Sequence, residues 1–400
     1  MRSTSSLNSL AFALLLAFLF LIDISIAGCY VLLTVILLIF LLHLLRGGEF
    51  PKLPFYCYFF AAYVFFTLLA TVFSVDRAVS IRDNKELLIF LLIPFYLWLL
   101  DSWKRVWLSI WTVLGAAVFS SLVGIGTVLA KGFGKGVLLA DRLRGFTSHW
   151  MTYAGLLLFP FIFYFVLLIL LERKTKRALT FSGALLVMLA AIAFSLTRNV
   201  WLGIVASLAL FIVFFKPRHA LALAPVLVVL VLLAPAVVRS RVLSIVDLND
   251  SSNRDRIYMA YSGVRLFQDR PWTGVGSGNI EKAIAGNETR YRHPQADRIY
   301  MHLHNNFLQI LAERGLFALA SFLLACLAII LQLLRMLRSR TGEWRAITAG
   351  VLFAFIGFLI AGMFEYNFGD SEIKFLLFYF LSLPFLSLKG ENHVHSKTNP

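Results

Sequence analysis

Charge is what this chain of 400 residues has least of: only 14 % is Asp, Glu, Lys or Arg, against 60 % hydrophobic residues and a mean hydropathy of +0.82. That balance excludes a string of water-soluble domains, which need a polar surface, and indicates a chain that lives in lipid. Cysteine is scarcer still, with 3 in the chain. Cys29, Cys57 and Cys326 all stand inside apolar runs, which argues against a disulfide framework and leaves them to pack as small hydrophobes. The first apolar run, 7–22, lacks a small-residue cleavage site, so it reads as a retained span rather than a removable leader. No run alternates apolar and polar at every second residue as a membrane strand does, so the runs are read as helices.

What the chain does have is twelve apolar segments, at 7–22, 26–45, 53–73, 87–100, 107–130, 151–171, 178–196, 199–215, 220–238, 315–334, 346–365 and 375–388. Most approach the ~20 residues a helix needs to cross a ~30 Å hydrocarbon core; the fourth and twelfth are short. The expectation is an all-α polytopic membrane protein of about 12 transmembrane helices. Spans one to nine fill 1–238, a large loop fills 239–314, spans ten to twelve fill 315–388, and 389–400 is a tail. With a cytoplasmic N-terminus the cytoplasmic segments hold 17 Lys and Arg and the short connections opposite hold 9, which places both termini in the cytoplasm and the large loop outside.

That loop carries 10 basic residues between Arg239 and Arg298, an excess that asks for an anionic partner. Nucleic acid is a poor candidate on that face of a membrane. Phosphorylated lipids or lipid-linked sugars fit better, because guanidinium groups match phosphate oxygens with paired hydrogen bonds, and membrane-lipid headgroups account for some of these arginines equally well. Ser252-Asn253-Arg254-Asp255 reads as the cap of a helix ending before Pro271, with Ile257, Ala260, Tyr261, Val264 and Phe267 on one face. Arg254 and Arg265 at its edge are either a solvated basic face or ligand contacts. The run from Gly274 to Gly278 lacks the Lys-Ser/Thr ending of a phosphate-cradling loop and reads as a flexible turn.

Two residues stand apart. Arg198 interrupts two apolar runs and therefore marks a turn or lines a wet cavity, where it pairs with Arg256 as a pyrophosphate clamp. His304 begins an apolar helix that Asn305, Leu308 and Leu311 continue, whose positive end favours a neutral imidazole suited to general-base work. His302 raises a metal reading, but no Cys, Asp or Glu stands beside it at ligand spacing.

The run His304-Asn305, nine residues, then Gly315-Leu316-Phe317-Ala318 resembles the His-[Asn/Ser/Gln]-x9-Gly-x-x-[Gly/Thr/Tyr] signature of bacterial O-antigen ligases, Ala318 departing from its last position. Arg142-Leu143-Arg144-Gly145-Phe146, the Ser-x-x-Arg-x-x-Trp-Leu form of Ser195 to Leu202, and Arg256 fifteen residues before Pro271 are similar to the wider O-antigen ligase and polymerase superfamily. The resemblance implies a GT-C-like, metal-independent glycosyltransferase of the bacterial inner membrane that needs no cofactor. It implies transfer of O-antigen from undecaprenyl pyrophosphate to a sugar hydroxyl of lipid A-core at the periplasmic face. His304 is then the base, Arg198 and Arg256 stabilise the departing pyrophosphate, and Arg142, Arg144, Arg254, Arg265 and Asn305 contact the substrates. An O-antigen polymerase or protein O-oligosaccharyltransferase would use the same donor with a different acceptor. A flippase or transporter is the farther alternative, disfavoured because the charges cluster on one side without an inverted repeat.

Overall fold

A computed structural model describes residues 2–131, 142–171 and 176–388. The expected tail and the middle of the basic stretch from Lys131 to Arg144 lie outside them. The chain is an all-helical polytopic membrane protein. In order it forms α1 (Arg2–Leu21), α2 (Ile26–Leu45), α3 (Tyr56–Val72), α4 (Arg77–Asp83), a tight 3-10 stretch (Asn84–Leu91) running into α5 (Leu92–Leu99), α6 (Trp103–Ala130), α7 (Trp150–Leu170), α8 (Lys176–Phe194) and α9 (Arg198–Phe215). There follow α10 (Ala220–Leu233), α11 (Ala236–Leu243), α12 (Ser251–Asp269), α13 (Ile280–Gly286), α14 (Glu288–Tyr291), α15 (Asn306–Ser339), α16 (Gly342–Ala361) and α17 (Ser371–Ser382). Each of the twelve apolar segments carries helix. Among the described residues seven helices, α2, α6 to α9, α15 and α16, are long and apolar enough to cross a membrane, and two shorter apolar ones lie at Leu7–Leu21 and Tyr56–Val72.

The two short segments became α5 and α17, and both are buried inside protein rather than set against lipid. Short or irregular helices are tolerated at membrane depth where neighbours satisfy their backbone. Here tyrosines do so: Tyr96 of α5 donates its hydroxyl to the Phe375 carbonyl at 3.1 Å, and Tyr56 of α3 to that of Leu381 at 3.4 Å. Lys374, placed by sequence in a short connection, lies within α17, buried and ion-paired with Glu86.

Without a hydrophobic force between helices in lipid, close packing decides their arrangement. α9 and α16 meet at glycines: a Cβ on Gly203 would lie 2.6 Å from the Gly357 carbonyl oxygen. Ser207, one turn on, donates to the Phe353 carbonyl at 2.5 Å. The two helices therefore run antiparallel, which brings the start of α9 and the end of α16 to the same end of the bundle. Asn306 at the start of α15 joins them, its amide donating to the Gly362 carbonyl at 2.8 Å. The start of α7 arrives there too, Thr152 donating to Asp370 at 3.0 Å.

Over that end lies an extramembrane layer with its own small core of Met259, Leu266, Val275, Ile280, Ile284, Tyr300 and Leu303. α12 has the expected extent, but its cap is Asp250, whose carboxylate accepts from the amides of Ser252 and Asn253 at 3.1 and 3.3 Å. Its buried face also differs from the expected one. Met259, Ser262, Gly263 and Leu266 are buried, while Ile257 and Val264 are about half exposed. Small residues decide this, since Gly263 lets Leu303 and Leu308 approach so closely that a Cβ would meet them at 2.7–2.8 Å.

The glycine run is a fastening rather than a loose turn. α15 breaks at Gly315 (φ 79°), and the carbonyls of Ala312 and Glu313 accept from the amides of Val275 and Gly276 at 2.9 and 2.8 Å. The amide of Leu316 donates to the Pro271 carbonyl at 2.8 Å. Gly274, Gly276 and Gly278 all hold positive φ, where a side chain is strained. These amides serve the helix break and are not available to cradle phosphate.

Candidate active site

Among the described residues only two non-glycines hold left-handed φ, Leu196 at 54°, two residues before Arg198, and His304 itself at 45°. Such backbone is costly and persists where surrounding contacts impose it, often at functional sites. For His304 those contacts are visible on both sides. The Leu303 amide donates to Gln309 Oε1 at 2.7 Å, and Asn305 caps α15, its Oδ1 accepting from the Leu308 amide at 2.9 Å. His304 thus precedes the helix instead of opening it. Asn305 is spent on structure at both ends of its amide, its Nδ2 donating to the Met363 carbonyl at 2.8 Å.

The group facing the His304 ring is a carboxylate, not a helix end. Glu365, in the turn after α16, lies 2.7 Å from His304 Nδ1 through Oε1, which also accepts from the Tyr366 amide at 3.1 Å. Burial pushes the Glu365 carboxyl up, but the His304 hydrogen bond and the charges of His304 and Arg256 outweigh it and hold the group below its ordinary range. An ionised carboxylate accepts only, so Nδ1 carries the proton and Nε2 is the basic nitrogen left for a ligand. Both residues line a cavity of about 650 Å³, together with His149, Thr152, His302 and Asp370. Among the described residues no group of three or more His, Cys, Asp or Glu is placed to hold a metal ion.

Beside this cavity the arginines gather around one acid. Arg198, the first residue of α9, donates through Nη1 to the Ser244 carbonyl and hydroxyl at 2.7 and 3.0 Å and through Nη2 to Asp250 at 2.9 Å. Arg241 reaches the other Asp250 oxygen at 3.4 Å. Arg256 donates through Nε to the Phe364 carbonyl at 3.1 Å and through Nη1 to the Ser252 carbonyl and hydroxyl at 3.1 and 2.7 Å, which sets it behind Glu365. Arg142 lies over the Trp150 ring, 4.8 Å from its centroid. Burial first, then the Arg198 charge, lowers the Arg142 guanidinium, and the same pair of causes brings Arg241 to about 10. Arg256 is lowered by burial despite the opposing charge of Glu365. Arg198 and Arg241 thus share one carboxylate, and Nε of Arg142 and of Arg241 are buried without a hydrogen-bond partner. A surplus of buried positive charge with unspent donors is the electrostatic form of an anion site.

Neither Arg198 nor Arg256 lines the large cavity. A second recess of about 240 Å³ does hold arginines: Lys131, Arg142, Arg144 and Trp150 line it. Arg254 and Arg265 stand exposed on α12, Arg265 over Tyr261 at 5.2 Å. The structure therefore brings His304, Arg198, Arg256 and Arg142 together and leaves Arg254 and Arg265 at the surface. Sequence reasoning missed Glu365, Asp250 and Arg241. The available signal for Glu365 was an acid closing the eleventh apolar run, with a second acid, Asp370, in the polar break that follows.

Fold and site define a multi-pass membrane protein that sets an imidazole–carboxylate pair beside an arginine cluster. Residues 183–323, which include Arg198, Arg256 and His304, match the O-antigen ligase family. That family is glycosyltransferase-like, of ligase or polymerase type, and its substrates are lipid-linked polysaccharides. No curated protein matches the chain.

Proposed function

We propose that the chain is a metal-independent, inverting glycosyltransferase that joins O-antigen, carried on undecaprenyl pyrophosphate, to a sugar hydroxyl of lipid A-core. The observation that carries this reading is the His304–Glu365 pair at 2.7 Å, set in a cavity next to buried guanidiniums with unspent donors. Nε2 of His304 takes the proton of the acceptor hydroxyl as that oxygen attacks the anomeric carbon. Glu365 fixes the tautomer and offsets the charge that forms on the ring. The pyrophosphate leaves with the electron pair of the broken bond and competes with Asp250 for Arg198, while Arg256 and Arg142 add charge. Direct displacement inverts the anomeric carbon. The excess of Lys and Arg in the opposite connections favours a periplasmic site in the bacterial inner membrane with both termini cytoplasmic.

The test is reconstitution of the protein in vesicles with lipid-linked glycan and lipid A-core. Wild type forms a joined product, and His304→Ala binds donor but forms none. Transfer by His304→Ala near the wild-type rate would overturn the assignment of the base.

A further inference from the structure

Resting on the reading above, the geometry points to His149 as a further catalytic residue that donates a hydrogen bond from Nε2–H to a phosphoryl oxygen of the departing pyrophosphate, at the junction between the two recesses. His149 precedes α7 and caps it: its Nδ1 accepts from the Met151 amide at 3.2 Å. A nitrogen that accepts carries no proton, so a neutral ring holds its proton on Nε2. Burial first, and with it the positive charge of Arg142, lowers this imidazole against the opposing pull of Glu365, which favours that neutral ring. The two imidazoles are thus complementary. His304 offers a bare Nε2 because a carboxylate takes its Nδ1 proton, while His149 offers Nε2–H because a backbone amide occupies its Nδ1. The contact that makes one a base disqualifies the other as a base and makes it a donor.

Its place decides what it faces. His149 lines the large cavity that holds His304, and the next residue, Trp150, lines the basic recess of Arg142 and Arg144. The two rings lie tilted against each other with centroids 4.2 Å apart, so this pair stands between the cavities. On the basic side the indole Nε1 of Trp150 is buried without a hydrogen-bond partner, beside the unspent Nε of Arg142. A glycosyl pyrophosphate with its sugar before His304 and its phosphates before Arg142 carries its scissile bond past this pair. Charge grows on the phosphate there as the bond breaks, so a fixed neutral donor acts mostly on the rate.

Capping-competent substitutions separate this role from a structural one. Ser and Asp both serve as N-caps, so His149→Ser and His149→Asp keep the start of α7. We expect the maximal rate to fall about 10- to 100-fold in His149→Ser, with the acceptor KM unchanged, and further in His149→Asp, whose carboxylate repels phosphate. Thermal stability follows the opposite order, Asp at least equal to Ser. Activity of His149→Ser within twofold of wild type overturns the proposal, as does a rise in acceptor KM with an unchanged maximal rate. If wild type itself forms no joined product from lipid-linked glycan and lipid A-core, the reading of the reaction fails and the role of His149 fails with it. If wild type is active and the capping variants match it, only the role of His149 fails.

Discussion

Replacing Glu365 with Gln tests the core of the mechanism, because it keeps the size of the side chain and removes only its charge. In the native protein Glu365 Oε1 accepts from His304 Nδ1 at 2.7 Å. A hydrogen bond to a charged group contributes ~1.5–3 kcal/mol. When the ring takes the acceptor's proton it becomes a cation, and a unit charge ~4 Å away at an effective dielectric of ~20 adds attraction of up to ~4 kcal/mol. Arg256, set behind Glu365, cancels part of that attraction. The loss is therefore ~1.5–4 kcal/mol of transition-state stabilisation, or ~10- to 1000-fold in rate. The upper end applies if the Gln amide turns its N–H toward Nδ1, since the proton then moves to Nε2 and the base is lost. The assay is single-turnover transfer in vesicles, with donor binding measured alongside. We expect donor binding to persist and the transfer rate to fall at least tenfold. A Glu365→Gln protein that is folded and transfers within twofold of wild type would refute the pairing as the source of catalysis.

Further outcomes follow from other parts of the site. Arg256→Lys loses the donors that hold Phe364 and Ser252 together, because an ammonium is a point charge and not a planar fork; transfer kinetics should show at least a tenfold drop, and full activity would exclude a role for the fork. Gly315→Ala places a Cβ 2.1 Å from the Trp272 carbonyl oxygen at a φ of 79°, so it should lose more than ~1 kcal/mol of stability, read as a lower Tm in detergent. Asp370 gives a pH test. Burial first, then Glu365 and Glu372, raises its carboxyl to about 7 from an ordinary 3.8. The folded protein thus keeps a proton that the unfolded chain releases above pH ~4, so stability declines from there to pH ~7 and levels off beyond. Asp370→Asn should flatten that slope in Tm measured from pH 5 to 8; an unchanged slope would assign it to another group.

How much of this was legible in the sequence depended on whether the signal was local. The helices were, because a run of apolar residues bounded by charge declares itself without reference to its neighbours. Arg198 and His304 were legible for the converse reason: each is a polar interruption in an apolar chain, where its presence has a cost. Glu365 was not, because its relation to His304 spans 61 residues and it stands at the last position of a segment read as a span. Asp250 was hidden because the run from Ser252 already offered a helix cap, and its pairing with Arg198 and Arg241 joins distant or unremarked positions. The face of α12 was misjudged because Gly263 and Ser262, which count for little in an apolar pattern, are where its neighbours approach most closely.

The break in α15 sets a rule for anyone who recombines this protein with a relative. Residues 271–276 supply the amides and the carbonyl that close the gap, and residues 312–316 supply their partners. A splice anywhere between 277 and 311 separates the two halves of one joint, and the hybrid must inherit a matching pair or leave a bilayer helix with bare carbonyls. The natural cassette for exchange thus runs unbroken from 271 through 316.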